Sequence, residues 1–257
     1  MNIKMFVISL LLVSFGAQAL IINENNPPEY QSFKSNYSDM IELANKSRLP
    51  HRVFYTSPST GRNALWFDAV KHGDLNEVKK MLANGQNIEA KDTGSLEQTA
   101  LGWAAFIGDE EMVEYLISQG ASLWATDKDD VYNVFKSAVL GNNVNVVKKI
   151  HDLMRSDIEL NNQRVEGDGE TFIMIAARNN RLDTVRYLIS KGADINLVTT
   201  TQDKSLFSYN HSALSYACQN NLKDMQRLLI RNGAINHITG TTSCVTIHPR
   251  AIDDGLR

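Results

Sequence analysis

A glycine stands twelve residues after a glycine or an asparagine at four places in this chain, and matched apolar pairs lie between the members of each pair. The four segments run Gly73 to Gly85, Gly108 to Gly120, Asn180 to Gly192 and Asn221 to Gly233. Ahead of three of them stands an apolar stretch opened by a hydroxyl residue: Thr99 to Ala105, Thr171 to Ala177 and Ser212 to Cys218. A hydroxyl at that position caps a helix by accepting from a free backbone N–H. Paired small residues such as Ala104-Ala105 and Ala176-Ala177 keep the helix thin, so that a neighbour can stack closely. Gly108 ends it in a left-handed conformation that other residues adopt at a cost. A second helix follows with a stripe such as Met112, Val113, Leu116 and Ile117, spaced to face inward. No such unit buries its apolar faces alone, so stability comes from stacking units into a one-dimensional array.

The aligned segments, with Thr99-Ala100-Leu101-Gly102-Trp103-Ala104-Ala105 at their head and Gly192-Ala193-Asp194-Ile195-Asn196 and Gly233-Ala234-Ile235-Asn236 at their ends, resemble the ankyrin repeat, a turn and two antiparallel helices in about 33 residues. The resemblance implies an all-α fold: a solenoid of about five helix-turn-helix repeats with short hairpin tips, plus an N-terminal helix and a C-terminal tail. The expected organisation is a signal peptide over 1–19, an N-terminal helix and extended connector over 20–62, the repeat array over 63–238 and a tail over 239–257. The first repeat, from Leu65, lacks the Thr-Pro-Leu-His signature and suits a cap. The third keeps Val146-Val147 and Ile150 but has no closing Gly-Ala, and its second helix is expected to run toward Leu153-Met154. Gly192 and Gly233 are 41 positions apart against 35 for Gly85 and Gly120, so 197–210 holds an insertion expected to form a finger.

At the N-terminus, Lys4 precedes an apolar run from Met5 to Phe15, and Ala17-Gln18-Ala19 offers small residues where a signal peptidase reads. The expectation is cleavage after Ala19 and a periplasmic address, with secretion as the alternative. The run is short of the ~20 residues that span a bilayer, and no later stretch supplies a span. Two cysteines, Cys218 and Cys244, would then meet an oxidising compartment, where a bridge stapling the tail to the last repeat has to be weighed against a small buried Cys218 and a free Cys244 thiol. Tyr30 to Lys46 reads as a helix suited to covering the open face of the first repeat.

Charge excludes one class of partner. With 26 basic and 29 acidic residues the chain lacks the clustered Lys and Arg that nucleic acid demands. The acidic run Asp109, Glu110, Glu111 and Glu114, followed by Asp127, Asp129 and Asp130, is either a solvated face or a means of steering a basic partner. Catalytic motifs are missing: no phosphate-cradling loop, no Gly-x-Ser-x-Gly elbow, no His-Glu-x-x-His. The six histidines are scattered, and Asp127, Asp129 and Asp130 lack the Gly and closing Glu of a calcium loop. No catalytic residue, metal or cofactor is expected. His211 beside Ser212 reads as a residue entering a helix cap.

The resemblance places the partner surface on the hairpin tips and the exposed side of each first helix, which line a concave groove. Carried onto this sequence it nominates Trp103 and Phe106 on a first helix, Trp124, Asp127, Asp129, Asp130 and Tyr132 on the second tip, and Lys204, Phe207 and Tyr209 on the finger. Lys91, Asp92, Ser95, Leu96 and Glu97 form the first tip, and Leu206 joins the finger. Repeat-to-repeat packing is the competing reading for Trp103 and Trp124, and folding back onto the array that for Phe207 and Tyr209. The expected function is a non-enzymatic protein-binding module, an inhibitor or immunity protein acting on an exported toxin or hydrolase. Alternatives are a catalase-associated stress-protective accessory, a secreted effector that engages a host protein, and a hydrolase or metal enzyme built around His211, His237, His248 and Cys244.

Overall fold

The computed structural model describes residues 32–128, 131–164 and 166–244. The expected signal segment with Ala19, the pair Asp129 and Asp130, and the tail beyond Cys244 with His248 lie outside the described residues. Five helix pairs follow one another: α2 (Ala64–His72) with α3 (Leu75–Ala83), α4 (Ala100–Ile107) with α5 (Glu110–Ser118), α6 (Val134–Leu140) with α7 (Val144–Leu153), α8 (Phe172–Arg178) with α9 (Leu182–Ser190), and α10 (Ala213–Gln219) with α11 (Lys223–Arg231). Among the described residues the helix α1 (Tyr37–Leu43) and a short 3-10 helix (Pro50–Arg52) precede them, and a two-stranded tip pairs β1 (Lys91–Asp92) with β2 (Gln98–Thr99) in antiparallel register.

The recurrent Gly and Asn positions have a common cause. Gly73 and Gly108 turn the chain between the helices of their pairs at φ +77° and +85°, and Asn180 and Asn221 do the same at +61° and +53°. Asn is the non-glycine residue best suited to the left-handed region. In the third pair the turn differs. Gly141 is extended there, and a Cβ on it would lie 2.5 Å from the carbonyl oxygen of Phe106, so its glycine serves the close approach of α4 to α6. Hydroxyl caps form as expected at Thr99, which accepts from the Gly102 N–H at 3.1 Å, and at Ser212, which accepts from Ser215.

The second helices are amphipathic, burying Met112, Val113 and Leu116 on α5 and Val185 and Leu188 on α9. The three middle first helices are buried on nearly every side, including Trp103 and Phe106 on α4, Lys136 and Ser137 on α6 and all of Phe172 to Ala177 on α8. A helix covered all round needs material on both faces, and the stack of neighbours supplies only one. The N-terminal residues supply the other.

That arm starts at the end of α2, where the Phe33 and His72 rings lie 4.0 Å apart and the Lys34 N–H donates to the His72 carbonyl at 3.0 Å. It does not cover the open face of the first repeat, as its sequence suggests. By Leu43 it has reached the turn between α8 and α9, where the Arg181 guanidinium donates to the Leu43 carbonyl at 2.5 Å and to the Leu140 carbonyl at 2.8 Å. Burial pushes the Arg181 pKa down to about 10. The chain then doubles back along α4 and returns to the first repeat, where the Ser59 N–H meets the Asp68 carboxylate at 2.7 Å. At the other end of the array, Cys218 on α10 is bonded to Cys244, which ties the tail to the terminal repeat.

Candidate partner-binding surface

Side chains of the returning arm occupy the groove between the first helices and the tips. Phe54 packs edge-on to Trp103 with ring centroids 5.7 Å apart, and Arg52 lies over the Phe106 ring at the same separation. Arg52 also pairs with Asp127 at 3.2 Å, both side chains buried, and the His51 carbonyl accepts from Ser95 Oγ at 3.0 Å. Trp103 is 1% exposed and Phe106 is fully covered, so neither is available to a partner. Asp127, nominated as a surface acid, is instead the counter-ion of Arg52 and accepts from the Val131 N–H at 2.9 Å.

The first tip is likewise committed to the fold. Asp92 is buried, accepting from Lys71 Nζ at 2.7 Å and from the Trp103 indole N–H at 3.0 Å, while Lys71 sits 4.5 Å from the centre of the Trp103 ring. Lys91 donates to the Thr126 carbonyl, and the Lys128 N–H donates to that of Leu96 at 2.8 Å, so the first two tips are laced together. The acidic run is paired as well. Asp109 caps α5 and binds Lys34 at 2.9 Å, Glu114 pairs with Lys149, and Glu110 accepts from Asn143 and Asn145, which holds its carboxyl below the usual range. Tyr132 is half-buried beside Phe172, and burial together with the Glu166 charge raises its phenol.

What remains open lies along the outer tips and the finger. Trp124 is 52% exposed, and Lys204, Leu206 and Phe207 are exposed on the insertion, with Tyr209 half-buried behind them. The finger is a folded loop rather than a projecting rod: the Thr199 N–H donates to the His211 carbonyl at 2.9 Å, and the His211 N–H returns to Thr199 Oγ1 at 3.0 Å. Phe207 stacks on His211 at 5.6 Å and 18° yet leaves 55% of its surface exposed. One ring face therefore rests on the array and the other meets solvent.

His211 has no free nitrogen to act as a base on Ser212. Its Nδ1 faces the Tyr209 carbonyl and its Nε2 the Gln219 side-chain oxygen, each at 2.8 Å, while Ser212 Oγ donates to the Ile235 carbonyl at 2.7 Å. Cys244 is consumed by its bridge to Cys218, which removes the thiol from any hydrolase or metal site. Among the described residues no cluster of His, Cys, Asp or Glu is arranged to hold a metal, and no helix is long and apolar enough to cross a membrane.

Behind the finger, Glu170 is buried and pairs with Arg178 at 2.9 Å, and Arg178 lies 5.7 Å from the centre of the Tyr216 ring. Burial raises the pKa of both Glu170 and Tyr216, the nearby Glu170 charge adding to the shift of the phenol.

The arm could have been suspected from the sequence. Trp103 and Phe106 make α4 apolar on a side that no neighbouring repeat covers, and Val53-Phe54-Tyr55 is an apolar triplet in a connector otherwise rich in Ser and Pro.

A family model for ankyrin repeats matches three times, over residues 7–127, 66–151 and 134–239. The chain belongs to the ankyrin-repeat family. It is 24% identical over 229 residues to the ankyrin repeat and KH domain-containing protein mask-1 of Caenorhabditis elegans, covering 89% of this chain and 8% of that protein. Two putative ankyrin repeat proteins of fowlpox virus are also similar. FPV031 is 37% identical over 68 residues, 26% of this chain and 18% of the viral protein; FPV244 is 28% identical over 152 residues, 59% and 20% respectively. The chain thus spans no more than a fifth of the length of these relatives. Ankyrin repeats are protein-binding modules, and none of these relatives is named as an enzyme.

Proposed function

We propose that this protein is an exported, non-catalytic module that captures one protein partner through its finger and outer tips, as an inhibitor or immunity protein that obstructs a toxin or hydrolase. The observation that carries the reading is the exposed pair Leu206 and Phe207, held on a folded insertion above an array whose own groove is already filled. Aromatic side chains at the centre of an interface contribute about 2 kcal/mol or more each when a partner buries them, and this ring is partly fixed by His211 before any partner arrives. Two features support an address outside the cytoplasm: the signal-like N-terminus and the Cys218–Cys244 bridge, a type of bond that persists in oxidising compartments.

Affinity purification of the exported protein tests this reading. It predicts a single protein recovered at stoichiometric yield and lost from a Leu206→Ser/Phe207→Ser variant of unchanged melting temperature. Recovery of no partner, or equal recovery by the variant, contradicts it. The resemblance to nematode and poxvirus proteins favours a second reading, an effector secreted toward a host. Finding the chain in culture medium rather than periplasm selects that one.

A further inference from the structure

A cleft of about 520 Å3 opens where the loop after α1 meets the ends of α8 and α10. Arg48, Arg178, Phe207, Gln219, Asn220 and Asn221 line it, so two arginines, three residues with carboxamide side chains and an exposed aromatic residue surround one small space.

The charges there do not balance. The Arg48 side chain makes one hydrogen bond, to the Arg178 carbonyl at 3.3 Å, and among the described residues no carboxylate pairs with it. Partial burial with no counter-charge lowers its pKa. Arg181 is close enough that the two guanidiniums repel. Arg178 does have an acid, Glu170, but that carboxylate lies on the core side and is itself buried. Among the described residues Arg48 thus has no acid of its own and Arg178 shares its acid with the core, in a chain whose formal net charge is −3. An arginine left without an acid at the rim of a cleft is matched by an incoming carboxylate, which the planar guanidinium fork binds through two parallel N–H donors.

We propose that this cleft receives an acidic peptide segment of the protein partner, an Asp or Glu next to an aromatic residue. Its carboxylate sits between Arg48 and Arg178, and its ring lies on the open face of Phe207. The exposed Asn221 amide offers a donor and an acceptor that match the two polar groups of a peptide unit, while the Asn220 amide already donates to the Tyr216 carbonyl at 3.1 Å. The proposal rests on the protein-binding reading and names what the partner brings to the finger. It also gives Phe207 its place, as the one residue that belongs both to the finger and to the cleft wall.

The test uses the full exported chain and a fluorescent acetylated peptide, Ala-Phe-Glu-Asp-Phe-Ala, against its Gln-Asn counterpart, followed by anisotropy. The acidic peptide is expected to bind at least ten-fold more tightly than the amide one, and more weakly as salt rises. Arg48→Gln should lower its affinity at least ten-fold. Because the Arg48 side chain makes a single hydrogen bond, that variant should keep the parent's melting temperature. Asn221→Asp, which places an acid in the cleft at a left-handed position that Asp tolerates, should weaken binding as well. Equal affinity for the two peptides, or indifference to both substitutions, overturns the proposal. Displacement of the acidic peptide by equimolar inorganic phosphate would also overturn it, in favour of a small-anion site. If purification recovers a partner while the cleft variants and peptides show nothing, the cleft assignment fails and the binding module stands; if the peptide binds but no protein partner is recovered, the wider reading fails instead.

Discussion

Phe54→Ala tests whether the N-terminal arm is part of the core. The ring is 5% exposed and meets three others edge-on: Trp103 at 5.7 Å, Tyr55 at 5.7 Å and Phe33 at 6.0 Å. Truncating a buried phenylalanine costs about 3–5 kcal/mol, and aromatic pairs add about 0.5–1.5 kcal/mol each beyond area, so a loss near 4 kcal/mol is expected. For a domain of this size that corresponds to roughly 8–16 °C in melting temperature. Urea titration followed by both tryptophan emission and far-ultraviolet circular dichroism measures it, and agreement of the two curves checks that the array unfolds as one unit. Phe207→Ala serves as the control, because a half-exposed ring outside the core should change stability by no more than about 0.5 kcal/mol. A loss under about 1 kcal/mol for Phe54→Ala would mean that the arm rests on the groove without packing into it, and the reasoning would be refuted.

Two further outcomes follow from the terminal repeat and from a buried histidine. Reducing the Cys218–Cys244 bridge, which spans 26 residues, should cost roughly 3–4 kcal/mol in the chain-entropy model and should loosen α10 and α11 first; urea midpoints that coincide with and without reductant would contradict this. His151 is buried against Phe135 and bonded to the Tyr187 hydroxyl at 2.7 Å; burial lowers its pKa, with Asp152 opposing and Lys191 and Arg155 assisting. A depressed histidine pKa means that the unfolded chain holds more protons just below the ordinary value near 6.5. The stability linked to this group is therefore complete above about pH 6.5 and is lost as pH falls toward the folded pKa. Melting temperatures taken from pH 7.5 to pH 5 should fall more steeply for the parent than for His151→Gln, and parallel profiles would sink the assignment.

The repeats were legible because each signal is local. A left-handed turn demands Gly or Asn at a fixed place, and Asn180 and Asn221 read correctly beside Gly73 and Gly108 for that reason. The extended second helix of the irregular third repeat was visible too, ending at Leu153 with Met154 as its cap. The path of the arm was not legible beyond the hint of its apolar triplet, since its decisive contacts join residues far apart in sequence: Arg52 with Asp127 is a separation of 75, and Arg181 with Leu43 one of 138. Helical periodicity carries no information at that range. The same gap misplaced the candidate site. Family geometry puts Trp103, Phe106 and Asp127 on an open groove, and only the fold reveals that Phe54 and Arg52 already fill it. The exposed position of Phe207 was legible because an insertion interrupts the spacing, whereas the cleft position of Arg48 carries no signal until α8 and α10 are set beside it.

The account turns on a filled groove, and the accessibility of Trp103 measures that most directly. In a Trp66→Phe/Trp124→Phe background, emission from Trp103 alone is predicted to be blue-shifted and nearly insensitive to acrylamide, whereas Trp124 alone in a Trp66→Phe/Trp103→Phe background is predicted to be quenched readily. Strong quenching of Trp103 in the folded protein would show the groove open and would contradict the account.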